Sequence, residues 1–156
     1  MENHIGQVGE SHHIVQIQPT LDAAAYHVGD VLFETTEIVD AFRLPGDHAL
    51  LHSVCINDKD DQEAQIDLVF FRTNVALGVR NAAPSITDAN ADEIIAIVPC
   101  STMYDLTGCR ILITDTVGQV LETVAGSKSL WVAGITRGAP VHTATGLTVK
   151  VGLASR

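Results

Sequence analysis

The chain has 156 residues, of which 46% are hydrophobic and 18% charged, a composition that predicts one globular domain and excludes a disordered protein. The 9 Lys and Arg against 19 Asp and Glu give a formal net charge of −10, which argues against nucleic acid and anionic membranes as partners. So low a charged fraction favours a subunit that covers part of its surface with neighbours.

The N-terminal residues and the cysteines bear on the cellular compartment. The first ten residues have no basic start and no apolar stretch, so we expect no signal peptide, and no apolar run approaches the ~18 residues of a membrane span. Cys55, Cys100 and Cys109 form no C-x-x-C pair, and their odd number predicts free thiols in a reducing compartment. Cys55 lies in an apolar segment, which predicts a small core residue.

Residues 1–13 are predicted to form a flexible N-terminal arm, because they contain three histidines, two glycines and little apolar content. Such an arm has two interpretations. It is either an added strand that pairs with a neighbouring chain or a terminus without a role. Under the first interpretation the candidate interaction residues are Ile5, Val8, His12 and His13.

Residues 14–156 are predicted to form one β-sandwich domain. Short apolar segments, several with a period of two, are separated by Gly, Pro, Asp and Asn, which is typical of an all-β antiparallel sandwich of jelly-roll type. Two stretches have other signals: 85–93 predicts one or two helical turns, and 36–42 predicts either a helical turn or an irregular strand. The predicted strands lie at 14–18, 31–34, 50–56, 66–71, 94–98, 110–114, 120–124, 130–135 and 147–153.

Two groups of residues contain side chains that can bind metals. The acidic stretch 57–63 could bind calcium, but its spacing lacks the glycine of an EF-hand loop, and a solvated hairpin is the simpler interpretation. His48 and His52 have a metal-binding spacing only in a helix, whereas their segment predicts a strand, so they are expected at the surface or at an interface. No metal and no cofactor are predicted.

The chain carries no motif for nucleophilic catalysis or phosphate binding. Asp115 with Glu122, or Asp67 with Glu63, could pair as glycosidase acids, but a 4% aromatic content argues against a sugar-binding cleft, and Trp131 is expected in the core. No catalytic residue is therefore predicted, and the protein is not expected to be an enzyme.

Several segments between Tyr26 and Leu153 resemble, in the same order, those of a family of tailed-phage head proteins. The run LHSVCINDK, which ends at Lys59, resembles that family's I-x-S-V-x-L-x-D-K pattern, and LWVAGITRGAP resembles its L-W-A-x-L-V-x-R-G-T-P pattern. The other matching segments are IDLVFF, ITDANAD followed by IIAIV, and the C-terminal LTVKVGL.

This resemblance implies a capsid cement or decoration protein with a jelly-roll-like body. Such a protein is expected to form a homotrimer, to bind the lattice of the major capsid protein, and to lie on the outer surface of a virion assembled in the host cytoplasm. A carbohydrate-binding or host-attachment module of the virion is the main alternative. A small trimeric enzyme of nucleotide metabolism is a third, although glycine-rich nucleotide loops are absent from the sequence.

Overall fold

The structure is a computed structural model that describes residues 11–155. In this part of the chain the short apolar segments form ten strands, and one short helix lies between the fourth and fifth. In chain order the elements are β1 Ser11–Ile17, β2 Val31–Ile38, β3 His48–Asp58, β4 Ile66–Phe71, α1 Asp88–Ala91, β5 Ile94–Cys100, β6 Thr102–Asp105, β7 Arg110–Thr114, β8 Gln119–Glu122, β9 Leu130–Thr136 and β10 Leu147–Ser155.

The strands form two antiparallel sheets. The six-stranded sheet has the order β1-β10-β3-β7-β6, with β8 also paired to β3, and the four-stranded sheet has the order β2-β9-β4-β5. The chain passes between the sheets at most connections, and this alternation gives the strand order of a double-sheet jelly roll. The predicted all-β sandwich is confirmed.

The main core lies between the two sheets and follows the alternation of side chains along each strand. In β10, the side chains of Leu147, Val149, Val151 and Leu153 all point inward and are buried, whereas Lys150 is exposed. Burying each such side chain contributes roughly 1.5–3 kcal/mol relative to leaving it in water. The four-stranded sheet supplies Leu68, Phe70 and Val132 from its inner face, among others.

A second apolar cluster lies on the other side of the four-stranded sheet. Val69 and Phe71 point outward from β4 and are covered by residues 72–93, which we call the cover segment. Leu77 of this segment is buried against them. The segment hydrogen-bonds along β2: the Val31 N–H donates to the Ala82 carbonyl at 2.8 Å, and the Thr35 hydroxyl donates to the Val75 carbonyl at 2.6 Å.

The two ends of the cover segment are joined by a bidentate ion pair. Arg72 Nε and Nη2 donate to the Glu93 carboxylate at 3.2 and 3.0 Å, and the Thr73 hydroxyl donates to the same carboxylate at 2.9 Å. The Arg72 N–H also donates to the Glu93 carbonyl. The side-chain hydrogen bonds lower the pKa of Glu93, and the contribution of Arg72 is larger than that of Thr73.

The structure refines several predicted boundaries. The strand β1 begins at Ser11 and pairs with β10 from Ser11 onward, so a flexible arm extending to residue 13 is wrong for its last three residues. The stretch 36–42 is strand as far as Ile38, after which Asp40 takes a positive φ of 54° and turns the chain so that Phe42 enters the core.

The predicted helical stretch 85–93 contains α1, which is only four residues long, and the Thr87 hydroxyl caps it by accepting from the Asn90 N–H at 3.2 Å. Within residues 11–155, no helix has both the length and the apolar character needed to cross a bilayer. Strand β6 was not predicted, because its sequence Thr-Met-Tyr-Asp has little apolar alternation.

Candidate functional site

The outer surface of the six-stranded sheet is open: no segment of residues 11–155 covers it as the cover segment covers the other sheet. Its side chains follow from the alternation in each strand. In β3, Val54 and Ile56 are buried in the core, so Cys55 between them points outward. Across the β3–β7 pair, Cys55 is opposite Ile113. The sequence placed Cys55 in the core, and the structure corrects this to the open face.

An apolar groove lies at the β6–β7 end of this open face. It is lined by Tyr104, Leu106, Ile111 and Ile113, none of which is charged. Tyr104 pairs with Ile111 across the strands, and the side chains of Tyr104 and Leu106 are 55% and 59% exposed. A cluster of large apolar side chains in water is unfavourable, and such patches mark surfaces that bind a partner. Strand β6 is also at the sheet edge, where backbone groups can pair with another chain.

Apolar exposure continues beyond the groove on the same face. Leu50 in β3 lies opposite Val120 in β8, and both point outward because Leu51 and Leu121 point into the core. At the β1 edge, Ile14 lies opposite Gly152 and is 72% exposed. We therefore define the open face as Ile14, Leu50, Tyr104, Leu106, Ile111, Ile113 and Val120 with the backbone between them.

The predicted interaction residues of the arm are placed as follows. Ile5 and Val8 lie outside the described residues. His12 is exposed on the open-face side of β1, opposite Ala154. His13 points the other way, and its Nε2 lies 3.0 Å from the Ala41 carbonyl oxygen, so it has a structural contact inside the subunit. His12 and Ile14 therefore lie on the open-face side of β1, and His13 does not.

Two of the four acidic groups in the suggested catalytic pairs, Asp67 and Glu122, are engaged in ion pairs. Asp67 accepts from Arg137 at 2.6–2.7 Å, and Glu122 accepts from Arg72 at 3.3 Å. Neither of the suggested pairs, Asp115 with Glu122 or Asp67 with Glu63, is joined by a hydrogen bond in the part of the chain that the structure describes.

All three cysteines are free thiols. Burial raises the pKa of the Cys100 thiol to about 11, so this group stays protonated near neutral pH and is not a nucleophile. Trp131 is half-buried and packs against the second cluster, on the outer side of the four-stranded sheet.

The open face was not identified as a site from the sequence. The sequence nevertheless contains a signal for this face. Ile111, Leu112 and Ile113 are consecutive and apolar, whereas a strand on an open sheet needs apolar side chains on one face only. Such a run indicates a strand buried on both faces, and here only Leu112 is fully buried within the subunit, whereas Ile111 and Ile113 are half-buried. Tyr104 and Leu106 could not be placed beside this run, because β6 was not predicted.

Comparison with known proteins gives no independent assignment: no protein-family model matches the chain, and no curated protein matches its sequence significantly.

Proposed function

We propose that this protein is a decoration protein of a tailed-phage capsid, which binds the assembled lattice of the major capsid protein as a homotrimer and stabilises the shell. Two features support the proposal. The sequence resembles that family in several segments along most of the chain, and the chain folds as the antiparallel sandwich that the family resemblance implies. The protein acts by binding rather than by chemistry.

The observation that carries the proposal is the apolar open face. A β-sandwich that worked alone in water would expose polar side chains on the outer surface of each sheet. Here Tyr104, Leu106, Ile14 and Val120 are each more than half exposed on one sheet. Covering apolar area gains roughly 25 cal/mol per Å², so association with other subunits stabilises this surface.

A trimer provides two kinds of contact from one surface. Each subunit of a threefold assembly contacts its neighbours through two different patches, and the contact closes into a ring. The β6–β7 groove and the β1 side lie at opposite edges of the six-stranded sheet, so the groove of one subunit can meet the β1 side of the next while the middle of the open face is left for the lattice. A stable contact of this kind buries on the order of 1,200–2,000 Å².

The stabilising mechanism is mass action. A protein that binds the assembled lattice, and not the dissociated capsid subunits, shifts the equilibrium towards the assembled state by RT ln(1 + [L]/Kd). No catalytic group is needed for this effect.

The direct test is binding to purified shells of the phage that encodes the chain, prepared without it. We expect the chain to sediment with assembled shells but not with the unassembled major capsid protein. Electron cryomicroscopy should show it in many copies on local threefold positions. Density at the tail tip alone would contradict the proposal and favour a host-attachment module, as would binding to a carbohydrate array but not to shells.

A matched pair of variants tests the open face. Leu106→Asp places a charge in the β6–β7 groove, whereas Val79→Asp places the same charge on the cover segment, where Val79 is 68% exposed. We expect Leu106→Asp to lower shell binding or trimer formation at least about tenfold. Burying the new carboxylate in the contact removes it from water, which costs more than about 1.4 kcal/mol of binding free energy. Equal behaviour of the two variants would exclude the open face as the binding surface.

The N-terminal residues are tested by deletion. A deletion of residues 1–13 would also remove three residues that pair with β10, so the deletion should end at residue 10. We expect the shortened chain to remain folded and oligomeric but to bind shells more weakly. Unchanged occupancy would remove Ile5 and Val8 from the lattice contact.

A further inference from the structure

Three side chains of the kinds that bind metals meet at the end of the sandwich where β3 ends beside the start of β7. Asp58 is the last residue of β3, Asp60 lies in the turn that follows, and His142 lies in the connection between β9 and β10. His142 Nδ1 is 3.4 Å from Asp60 Oδ2 and 3.6 Å from Asp58 Oδ1. The sequence predicted no metal-binding residues, because His142 is far from the acidic stretch along the chain.

His142 is buried and has no hydrogen-bond partner among residues 11–155. The residue is 3% exposed, and neither ring nitrogen makes a hydrogen bond with any residue that the structure describes. An imidazole always has at least one N–H donor and one further donor or acceptor, and leaving these groups buried and unpaired costs free energy. Tyr26 packs edge-on against the ring, with centroids 6.4 Å apart, so the ring is held in place by an apolar contact. The orphaned Nδ1 is directed at two carboxylates.

The two carboxylates are held in place by other groups. Asp58 Oδ1 accepts from the Asp60 N–H at 3.0 Å, and its Oδ2 accepts from the Gln62 N–H at 2.8 Å. Asp60 Oδ2 accepts from the Thr143 N–H at 2.7 Å, and the Thr143 hydroxyl donates to the same carboxylate. The acidic turn is thus tied to the loop that carries His142.

Gly146 is the residue that allows Asp60 to reach this position. A Cβ at Gly146 would overlap the Asp60 carboxylate, so only glycine leaves room for it. The Lys59 N–H donates to the Gly146 carbonyl at 2.8 Å, which fixes the backbone beside the cluster. In the sequence, this packing is marked only by a glycine in a polar loop. The glycine does not reveal that the Asp60 carboxylate lies against it.

The distances are longer than hydrogen bonds and close to the spacing of ligands around a metal. A hydrogen bond between nitrogen and oxygen would be about 2.9 Å long. Bonds of about 2.0–2.1 Å to a tetrahedral zinc ion place neighbouring ligand atoms about 3.3–3.4 Å apart. The observed separations of 3.4 and 3.6 Å need only a small adjustment to reach this value.

We propose that Asp58, Asp60 and His142 bind a divalent transition metal ion of the zinc type through Asp58 Oδ1, Asp60 Oδ2 and His142 Nδ1. The imidazole favours zinc-like ions over calcium and magnesium, which take oxygen ligands. The side chain of Asp60 is 18% exposed, so an ion and a water molecule reach the cluster past this residue. The ion joins the β3–β4 turn to the β9–β10 connection.

The competing arrangement is a metal-free ion pair, in which a protonated His142 lies between the two carboxylates. Burial raises the pKa of Asp58, while the charge of His142 and the backbone N–H groups act in the opposite direction. A divalent metal ion balances both negative charges, whereas a proton on His142 balances one of them. Only the first arrangement binds zinc with a defined stoichiometry, so metal binding separates the two.

The experiment uses the full-length chain without a histidine tag, treated with a chelator and then dialysed against Zn²⁺. We expect one high-affinity Zn²⁺ per chain, no comparable binding of Ca²⁺, and a rise in melting temperature on adding Zn²⁺. With Co²⁺ in place of Zn²⁺, the visible absorption should indicate tetrahedral coordination. A wild-type chain that binds no Zn²⁺ and shows no thermal shift would overturn the proposal without any variant.

His142→Gln and Asp60→Asn test the assignment to these residues. Removing even an outer partner of a metal ligand lowers affinity by 10–100-fold, so we expect losing a ligand to weaken Zn²⁺ binding by at least about 100-fold. His27→Gln is the matched control, because His27 also lies beside an aspartate, 3.4 Å from Asp30, but is exposed. Full Zn²⁺ affinity in His142→Gln would assign the binding to other histidines and overturn the proposal.

Discussion

The outer surfaces of the two sheets differ in how their apolar side chains are covered. On the four-stranded sheet, Val69 and Phe71 are buried beneath the cover segment. An ion pair between Arg72 and Glu93 joins the two ends of this segment. On the six-stranded sheet, Tyr104 and Leu106 remain more than half exposed. Both surfaces carry large apolar side chains, and the chain covers most of the one on the four-stranded sheet, where Ile97 at the β5 edge remains exposed.

This difference separates the surface that serves folding from the surface that serves assembly. The covered face gains its stability within one subunit, so changes there should unfold the chain. The open face contributes little to the subunit by itself, and changes there should alter association while leaving the fold intact. The next three predictions test this division, from the largest expected effect on stability to the smallest.

Phe71→Ala should have the largest effect. Phe71 is fully buried, between Trp131 and Ile94 on the two neighbouring strands, and removing its ring leaves a cavity under the cover segment. We expect the free energy of unfolding to fall by about 3–5 kcal/mol, as for other buried Phe→Ala changes. Denaturant titration followed by circular dichroism measures it. A loss below about 1 kcal/mol would mean that the cover segment does not stabilise the subunit.

Glu93→Gln tests the closure of the cover segment through its pH dependence. Hydrogen bonds from Arg72 and Thr73 lower the pKa of Glu93 from its ordinary value of 4.5, so the folded state favours the ionised form. The wild-type advantage over the variant is therefore fully present above about pH 4.5 and is lost as the pH falls through the lowered pKa.

Melting temperatures of the wild type and Glu93→Gln should consequently differ at pH 7 and converge on acidification. Glu63→Gln is the control, because Glu63 is exposed and makes no ion pair with the described residues. A difference between wild type and Glu93→Gln that persists unchanged to the lowest pH at which the protein folds would contradict the ion-pair explanation.

Tyr104→Ala should have the smallest effect on the isolated subunit. Its ring is more than half exposed, and surface changes away from special features usually alter stability by within about 0.5 kcal/mol. We expect an unchanged unfolding curve at concentrations where the chain is monomeric, together with weaker self-association by analytical ultracentrifugation. Destabilisation comparable to that of Phe71→Ala would remove the distinction between the two faces.

Sequence reasoning located the strands well because each one carries a local signal. The alternation from Leu147 to Leu153 identifies β10 and its inward face without any knowledge of its partners. It failed where the local signal is weak: β6 has few apolar residues, and the start of β1 is polar although it pairs with β10 from Ser11 to Ile17. Pairing supplies backbone hydrogen bonds to such segments regardless of their side chains.

The candidate sites were harder to predict because their residues are far apart in sequence. The candidate arm residues lie in one short stretch of sequence, whereas the β6–β7 groove depends on a strand that the sequence did not reveal. The cluster at Asp58 and His142 depends on a loop that packs back on the turn after β3. No local pattern predicts such a contact, since it requires the sheet order to be known.

The sequence by itself determined the class of fold, because a period of two in short apolar segments separated by turn residues is sufficient for an antiparallel sandwich. It also determined that the surface is acidic and poor in charge. Only the tertiary structure decided which apolar face is covered and which residues meet at the end of the sandwich. Alternation distinguishes the two sides of a strand, but what lies over each side depends on distant segments of the chain.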